Sequence, residues 1–206
     1  MRQPIRRLLL ILLAVFVYPP AVPAQETIKE PATGKHFPRL VSFEHGGKDY
    51  SLRVTGTAVR KKLIFKGYGV AHYMDWVDFQ NKDKTLAAAL SDNHAKQITM
   101  DFARNIGVGR IRKAFNGDFK KKASEEETKV ISPHVDQFMG YFDKDVKEND
   151  QFVFRWLPGG VVLSIIQGEE KAPIESVIFA TVLWRIWLGE DSVVDREKLV
   201  EAAIAE

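Results

Sequence analysis

Residues 52–73 read LRVTGTAVRKKLIFKGYGVAHY, and the pattern along them is that of extended chain. Ile64, Lys66, Tyr68, Val70, His72 and Met74 share one face, while Leu63, Phe65, Gly67, Gly69, Ala71 and Tyr73 take the other, because successive side chains of a strand point to opposite sides. Small residues at 67, 69 and 71 leave the second face open to close approach by another element. The segment reads either as one long strand or as two strands divided near Gly67.

Upstream, Val41, Phe43 and His45 alternate with Leu40, Ser42 and Glu44, and Tyr50, Leu52 and Val54 alternate with Ser51, Arg53 and Thr55. Gly46-Gly47 between them predicts a hairpin with a glycine turn. Downstream, a short helix is expected around Leu86–Leu90 and a strand over Gln97–Phe102. Val108, Ile111, Phe115 and Phe119 recur at helical spacing. So do Val135, Phe138, Met139, Phe142 and Val146, with Ser132-Pro133 as N-cap and first-turn proline. Phe152, Phe154 and Trp156 alternate into a Pro158-Gly159-Gly160 turn, and Val161–Gln167 returns.

Ile174–Leu188 is apolar nearly all round and predicts a buried helix ended by Gly189. Its two tryptophans, Trp184 and Trp187, read as core packing or as the wall of an apolar pocket. A last amphipathic helix is expected from Val194 to Ile204. Strands, helices, two strands and helices in this order predict an α+β fold, an open-faced antiparallel β-sheet carrying a layer of α-helices.

At the N-terminus, Arg2, Arg6 and Arg7 precede an apolar run from Leu8 to Tyr18, followed by Val22-Pro23-Ala24. Charge, apolar run and small-residue site predict a cleavable signal peptide over 1–24, cut after Ala24, and a periplasmic or secreted product. Eleven apolar residues fall short of the roughly 20 that a spanning helix needs, so no transmembrane segment is expected in the mature chain. Residues 25–35 are polar and predict a flexible lead-in, leaving 36–206 as one domain.

Removing the signal takes three arginines and no acid, so the 30 Lys and Arg of the whole chain fall to 27, against 27 Asp and Glu. That balance gives no reason to expect nucleic acid as a partner. With no cysteine, disulfides, thiolate metal sites and a cysteine nucleophile are excluded. The five histidines, at 36, 45, 72, 94 and 134, never fall three or four apart, so no metal site is predicted. Gly107-Val108-Gly109 lacks the third glycine of a dinucleotide fingerprint, and no cofactor is expected. Lys120–Lys122 followed by Glu125–Glu127 reads as a solvated helix end or loop.

LRVTGTAVRKKLIFKGYGVAHY, with its Gly56-x-x-x-Arg60 turn and tyrosine-bearing strand, resembles the chalcone isomerase-like family. ITMDFARNIGVGRIRKAFNGDF at 98–119 and IWLGED at 186–191 resemble it in the same order. The resemblance implies an amphipathic cleft between sheet and helices, in a family of plant flavonoid-cyclising enzymes, plastid fatty-acid-binding proteins and exported bacterial members. In the enzymes the arginine matched by Arg60 holds the substrate's phenolate and enolate charge, which a fixed guanidinium can do in a dry cleft. Their partner threonine is matched by Tyr68, the residue type of the fatty-acid-binding branch. Their helix tyrosine and asparagine fall near Arg110 and Gly117, which do not match.

The resemblance therefore implies a ligand site of Arg60 and Tyr68, a cation and a phenol sharing the carboxylate of a small amphipathic or acidic ligand. From the residues alone, a structural Arg60 at a basic turn with a merely packed Tyr68 is the favoured reading; with the resemblance the two readings stand even. Three functions stay open: a non-catalytic binder of a fatty acid or similar acid, an intramolecular lyase or isomerase acting on an enone-like substrate, and an envelope interaction protein whose cleft its own side chains fill. A roomy cavity beside Arg60 separates the last from the first two.

Overall fold

The computed structural model describes residues 25–62, 65–76 and 81–202; the signal peptide expected over 1–24 lies outside them. In chain order the elements are β1 (Thr27–Lys29), β2 (His36–Pro38), β3 (Leu40–His45), β4 (Lys48–Lys62), β5 (Phe65–Met74), α1 (Lys82–Ala89), β6 (Lys96–Phe102), α2 (Val108–Lys122) and α3 (Glu125–Gly140), then β7 (Gln151–Leu157), β8 (Val161–Ile166), β9 (Glu169–Glu170), β10 (Ile174–Glu175) and α4 (Val177–Leu188). The main sheet is antiparallel with order β10-β8-β7-β6-β5-β4-β3, and β9 also pairs with β8. The α+β expectation holds.

The sheet is curled into a half-barrel. Four strand spacings separate β3 from β7, about 19 Å if flat, yet the Arg155 guanidinium on β7 lies 3.9 Å from the centre of the Phe43 ring on β3. One face carries Val70, Met74, Ile98, Met100, Phe152, Phe154 and Trp156 against α2, α3 and α4. Phe115 of α2 ties the layers, its ring 5.3 Å from Phe138, 5.1 Å from Phe142 and 6.0 Å from Phe154. The opposite face holds a smaller cluster around Phe37, Leu52, Val54, Ala71 and Tyr73.

The Gly46-Gly47 hairpin forms as predicted, both glycines at positive φ and His45 paired with Lys48, the geometry of a two-residue primed turn. The long segment is two strands, but the division falls between Lys62 and Phe65 rather than near Gly67. Gly67 is instead an extra residue in β5, because Arg60 pairs with Tyr68 and Lys61 with Lys66. A second irregularity lies upstream. Val54 pairs with Tyr73 and Gly56 with His72, so Thr55 is an extra residue in β4. One inserted residue reverses the side-chain alternation. Leu52 and Val54 consequently face the smaller cluster, whereas Ala58 faces the helices.

Thr55 is fully buried, and its hydroxyl lies 2.7 Å from His72 Nδ1 and 2.6 Å from the Leu199 carbonyl oxygen. One hydroxyl proton serves one acceptor. The consistent arrangement is a neutral imidazole donating from Nδ1 to Thr55, which donates to Leu199. Burial, aided by the nearby Lys96 ammonium, pushes His72 down to about 3.

Four further expectations are corrected. Residues 25–35 are not a loose lead-in: β1 pairs with β2, and the buried Glu30 carboxylate accepts from the backbone of Ala32 and Thr33. This segment is what approaches the small-residue face. A Cβ on Gly69 would meet Thr33 Oγ1 at 2.9 Å, and Lys35 pairs with Asp101 at 2.5 Å. α3 starts eight residues earlier than Ser132-Pro133, because Ser124 and Glu127 form a reciprocal capping box and Pro133 sits inside the helix. Val146 lies outside it, bridged to Ile106. α4 begins after Ser176, since Ile174–Glu175 pairs with β8. No helix forms over 194–202, where the backbone turns and Leu199 is drawn onto β4.

Lys120–Lys122 end α2 and Glu125–Glu127 begin α3, each charge at the helix end whose dipole it complements. Among the described residues no helix is long and apolar enough to cross a membrane.

A methyl group on Gly56 would lie 2.1 Å from the Lys198 carbonyl oxygen. Gly56→Ala is expected to cost about 3 kcal/mol in chemical denaturation, the upper end of overpacking penalties; unaltered stability would show the contact to be slack. His72 gives a pH signature. Its folded value lies below its ordinary 6.5, so the unfolded chain binds the proton first and stability falls as pH drops from 6.5 towards 3. Replacing His72 by Gln should flatten that acid limb, by a total on the order of 5 kcal/mol at about 1.4 kcal/mol per unit; superimposable wild-type and variant profiles would contradict it.

Candidate functional site

Arg60 and Tyr68 are direct cross-strand partners in the β4–β5 ladder, and such partners stand about 5 Å apart at Cβ. Both lie on the helix-covered side. The extra residue at Thr55 puts Arg60 there; in uninterrupted alternation it would share the face of Leu52 and Val54. Beside the pair opens a cavity of ≈ 760 Å³. Its apolar wall comes from Met100 and Phe102 of β6, Ile111, Ala114 and Phe115 of α2, Ile186 and Trp187 of α4, and Ile106. Its polar groups are Arg60, Tyr68 and Asp118, with exposed Arg104, Arg110, Lys113 and Lys121 at the mouth.

Arg60 is half-buried, and one guanidinium nitrogen donates to the Val193 carbonyl oxygen at 2.9 Å. That bond fixes the fork while its other N–H groups meet no hydrogen-bond acceptor among the described residues. The Tyr68 oxygen accepts from Trp187 Nε1 at 3.1 Å, and its ring packs edge-on to Phe102 at 5.6 Å. Burial raises the phenol far above its ordinary range, more than the Trp187 hydrogen bond and the Arg60 charge lower it. Tyr68 is therefore a neutral donor whose proton is free to point into the cavity.

Asp118 is half-buried, and burial also lifts its carboxyl above the usual range, against the pull of Arg60, Lys121 and Lys122. Among the described residues it is the one acid lining the cavity. The sequence did not single out Asp118, and it left Trp187 between core packing and the wall of an apolar pocket; the structure places it in that wall. The signal was helical: Arg110, Ile111, Ala114, Gly117, Asp118 and Lys121 form one stripe of α2, with small side chains at 114 and 117 that leave room beside the sheet. On α4 the two tryptophans divide, Trp184 packing against Trp156 at 5.4 Å and Trp187 reaching the cavity. No group of His, Asp and Glu among the described residues has the arrangement to hold a metal ion.

An apolar cleft between a curled antiparallel sheet and a helical layer, with a cation and a phenol paired at its side, defines a class of small-ligand site. A family model described as chalcone isomerase-like matches residues 32–199, and the chain belongs to that family. Among solved structures, an Arabidopsis thaliana fatty-acid binding protein shares the fold with a TM-score of 0.66 and 18% sequence identity, over 88% of this chain and 100% of that one. Comparison with curated protein sequences gives no match. Arg110 and Gly117, the positions implied to carry tyrosine and asparagine in the cyclising enzymes, both line the cavity.

Asp118 competes with any anion for Arg60. An apolar sulfonate such as anilinonaphthalene sulfonate should bind Asp118→Asn about three- to tenfold more tightly at neutral pH, removal of one like charge being worth up to about 1.4 kcal/mol. Wild-type affinity should approach the variant's as acidification neutralises Asp118. Fluorescence titrations that coincide at neutral pH would remove Asp118 from this role.

Proposed function

We propose that this protein is a non-catalytic binder of a fatty acid or a similar amphipathic acid, exported from the cytoplasm after cleavage at Ala24. The observation that carries the reading is the pairing of a half-buried arginine with a neutral phenol beside an apolar cavity of ≈ 760 Å³, within the roughly 300–1,000 Å³ usual for small-ligand sites. A carboxylate bound there accepts from the free arms of the Arg60 fork and from the Tyr68 hydroxyl, while the hydrocarbon tail lies against Phe102, Phe115 and Ile186. Charge-assisted bonds of this kind hold strongly where water is excluded.

The fold shared with a fatty-acid binding protein supports this reading, and so does the open space beside Arg60, which removes the basis for a cleft filled by its own side chains. An enone-cyclising role has less support. Arg110 and Gly117 supply neither the phenol nor the amide of the plant enzymes at positions that face the ligand.

Mass spectrometry of an organic extract from protein purified out of its native compartment should find a long-chain acid. Arg60→Ala should weaken binding of such acids by about 10- to 100-fold, and Tyr68→Phe by about 3- to 10-fold, the scale of losing one charged and one neutral hydrogen bond. An empty extract together with no measurable binding of long-chain acids would sink the proposal. Export is tested separately, by sequencing the N-terminus of the product recovered outside the cytoplasm; a chain still carrying residues 1–24 there would contradict cleavage.

A further inference from the structure

Next to the main cavity lies an annex of ≈ 180 Å³ lined by Arg60, Arg104, Arg110, Asn105, Phe65, Gly67 and Ile106. It has room for roughly six water volumes of about 30 Å³ each, the scale of a head group rather than of a whole lipid. Among the described residues three guanidiniums border it and no acid does. Asp118 acts on Arg60 from the main cavity and is not part of the annex wall.

Two of the three arginines are held in place without being neutralised. Arg60 is pinned by the Val193 carbonyl, and the Arg104 guanidinium lies 5.3 Å from the centre of the Phe65 ring. Neither Arg104 nor Arg110 has a carboxylate partner among the described residues. The Asn105 side-chain oxygen already accepts from the Glu148 backbone at 2.9 Å, which leaves the amide nitrogen as a donor. Every polar side chain of the annex thus offers hydrogens, and three like charges converge on one small volume. A carboxylate, with two oxygens and a single charge, is matched by Arg60 and Tyr68 alone. It leaves the other two guanidiniums unanswered.

We infer that the annex is a subsite for a doubly charged phosphate monoester head group, so that the amphipathic acid of the proposed function is a single-chain lipid phosphate rather than a simple fatty acid. A phosphate monoester carries nearly two charges above its second ionisation at about pH 6 and presents three acceptor oxygens. Arginine forks match that geometry. The annex opens into the main cavity, all three arginines lining both, so the head group occupies the annex while its chain enters the main cavity. This inference rests on the binding role proposed above and narrows its ligand class.

The test is isothermal titration of the full chain at about pH 7.5, where the phosphate is dianionic, with dodecyl phosphate, dodecanoate and inorganic phosphate below their aggregation limits. Dodecyl phosphate is expected to bind at least about tenfold more tightly than dodecanoate, the effect of one further charge-assisted contact. In the double variant Arg104→Gln, Arg110→Gln that preference should shrink to about twofold or less; both side chains are exposed, and circular dichroism checks that the variant folds. Equal wild-type affinities overturn the inference while leaving the fatty-acid reading intact. A preference that survives the double substitution overturns the annex as its source. Inorganic phosphate binding as tightly as dodecyl phosphate reduces the annex to a plain anion site, and failure of both amphiphiles to bind removes this inference and the proposed function together.

Discussion

At Thr55 the β4 strand holds one residue more than β5 offers to pair with it, and the side chains beyond that point change sides. Ahead of it, Leu52 and Val54 pack under the sheet; after it, Ala58 and Arg60 turn towards the helices. The insertion is stable because the buried hydroxyl finds partners in His72 and Leu199, and because Gly56 admits the backbone of Lys198 and Leu199. An unpaired hydroxyl at full burial would cost about 1–3 kcal/mol. Arg60 faces Tyr68 across the ladder only in this register, and the helix-side cavity acquires its cation by the same means.

The cavity combines two tendencies that oppose each other in an isolated protein. Aromatic and aliphatic walls lower the local dielectric, which raises the cost of bringing cations together. Arg60 meets that cost by anchoring to a carbonyl, Tyr68 by staying neutral, and Asp118 by supplying a nearby charge that burial makes reluctant. The remaining cations stay at the mouth, in contact with water. An apolar interior with a positive rim is the complement of a molecule that is apolar at one end and anionic at the other.

Much of this was legible from local pattern. The glycine hairpin, the alternating β6–β8 strands and the apolar stripe of α2 follow from periodicities that tertiary contacts reinforce. The misread elements are those decided by distant partners. Residues 25–35 are polar, and their order comes from Asp101 and Gly69, far along the chain. Two cap signals compete for α3, and Ser124 prevails because Glu127 completes its box, whereas Ser132 has no such partner. Over the described residues 194–202 the helical pattern yields to the docking of Leu199. For the site, the family resemblance indicated Arg60 and Tyr68, but strand alternation could not place them on one face: an inserted residue leaves no mark in the pattern until the pairing is known. Asp118 and Trp187 become functional neighbours only once α2 and α4 cross the sheet.

The bond from Thr55 to Leu199 spans 144 positions of the chain. Contacts of such separation form late, after shorter loops have closed. A nascent chain can hence zip β4 onto β5 before the segment around Leu199 has left the ribosome, but nothing then secures the extra residue, and a slip of one position would point Arg60 at the wrong side of the sheet. The segment around Leu199 acts as a latch on the face that β4 presents, so that the position of the cavity's cation depends on a contact made 144 positions away.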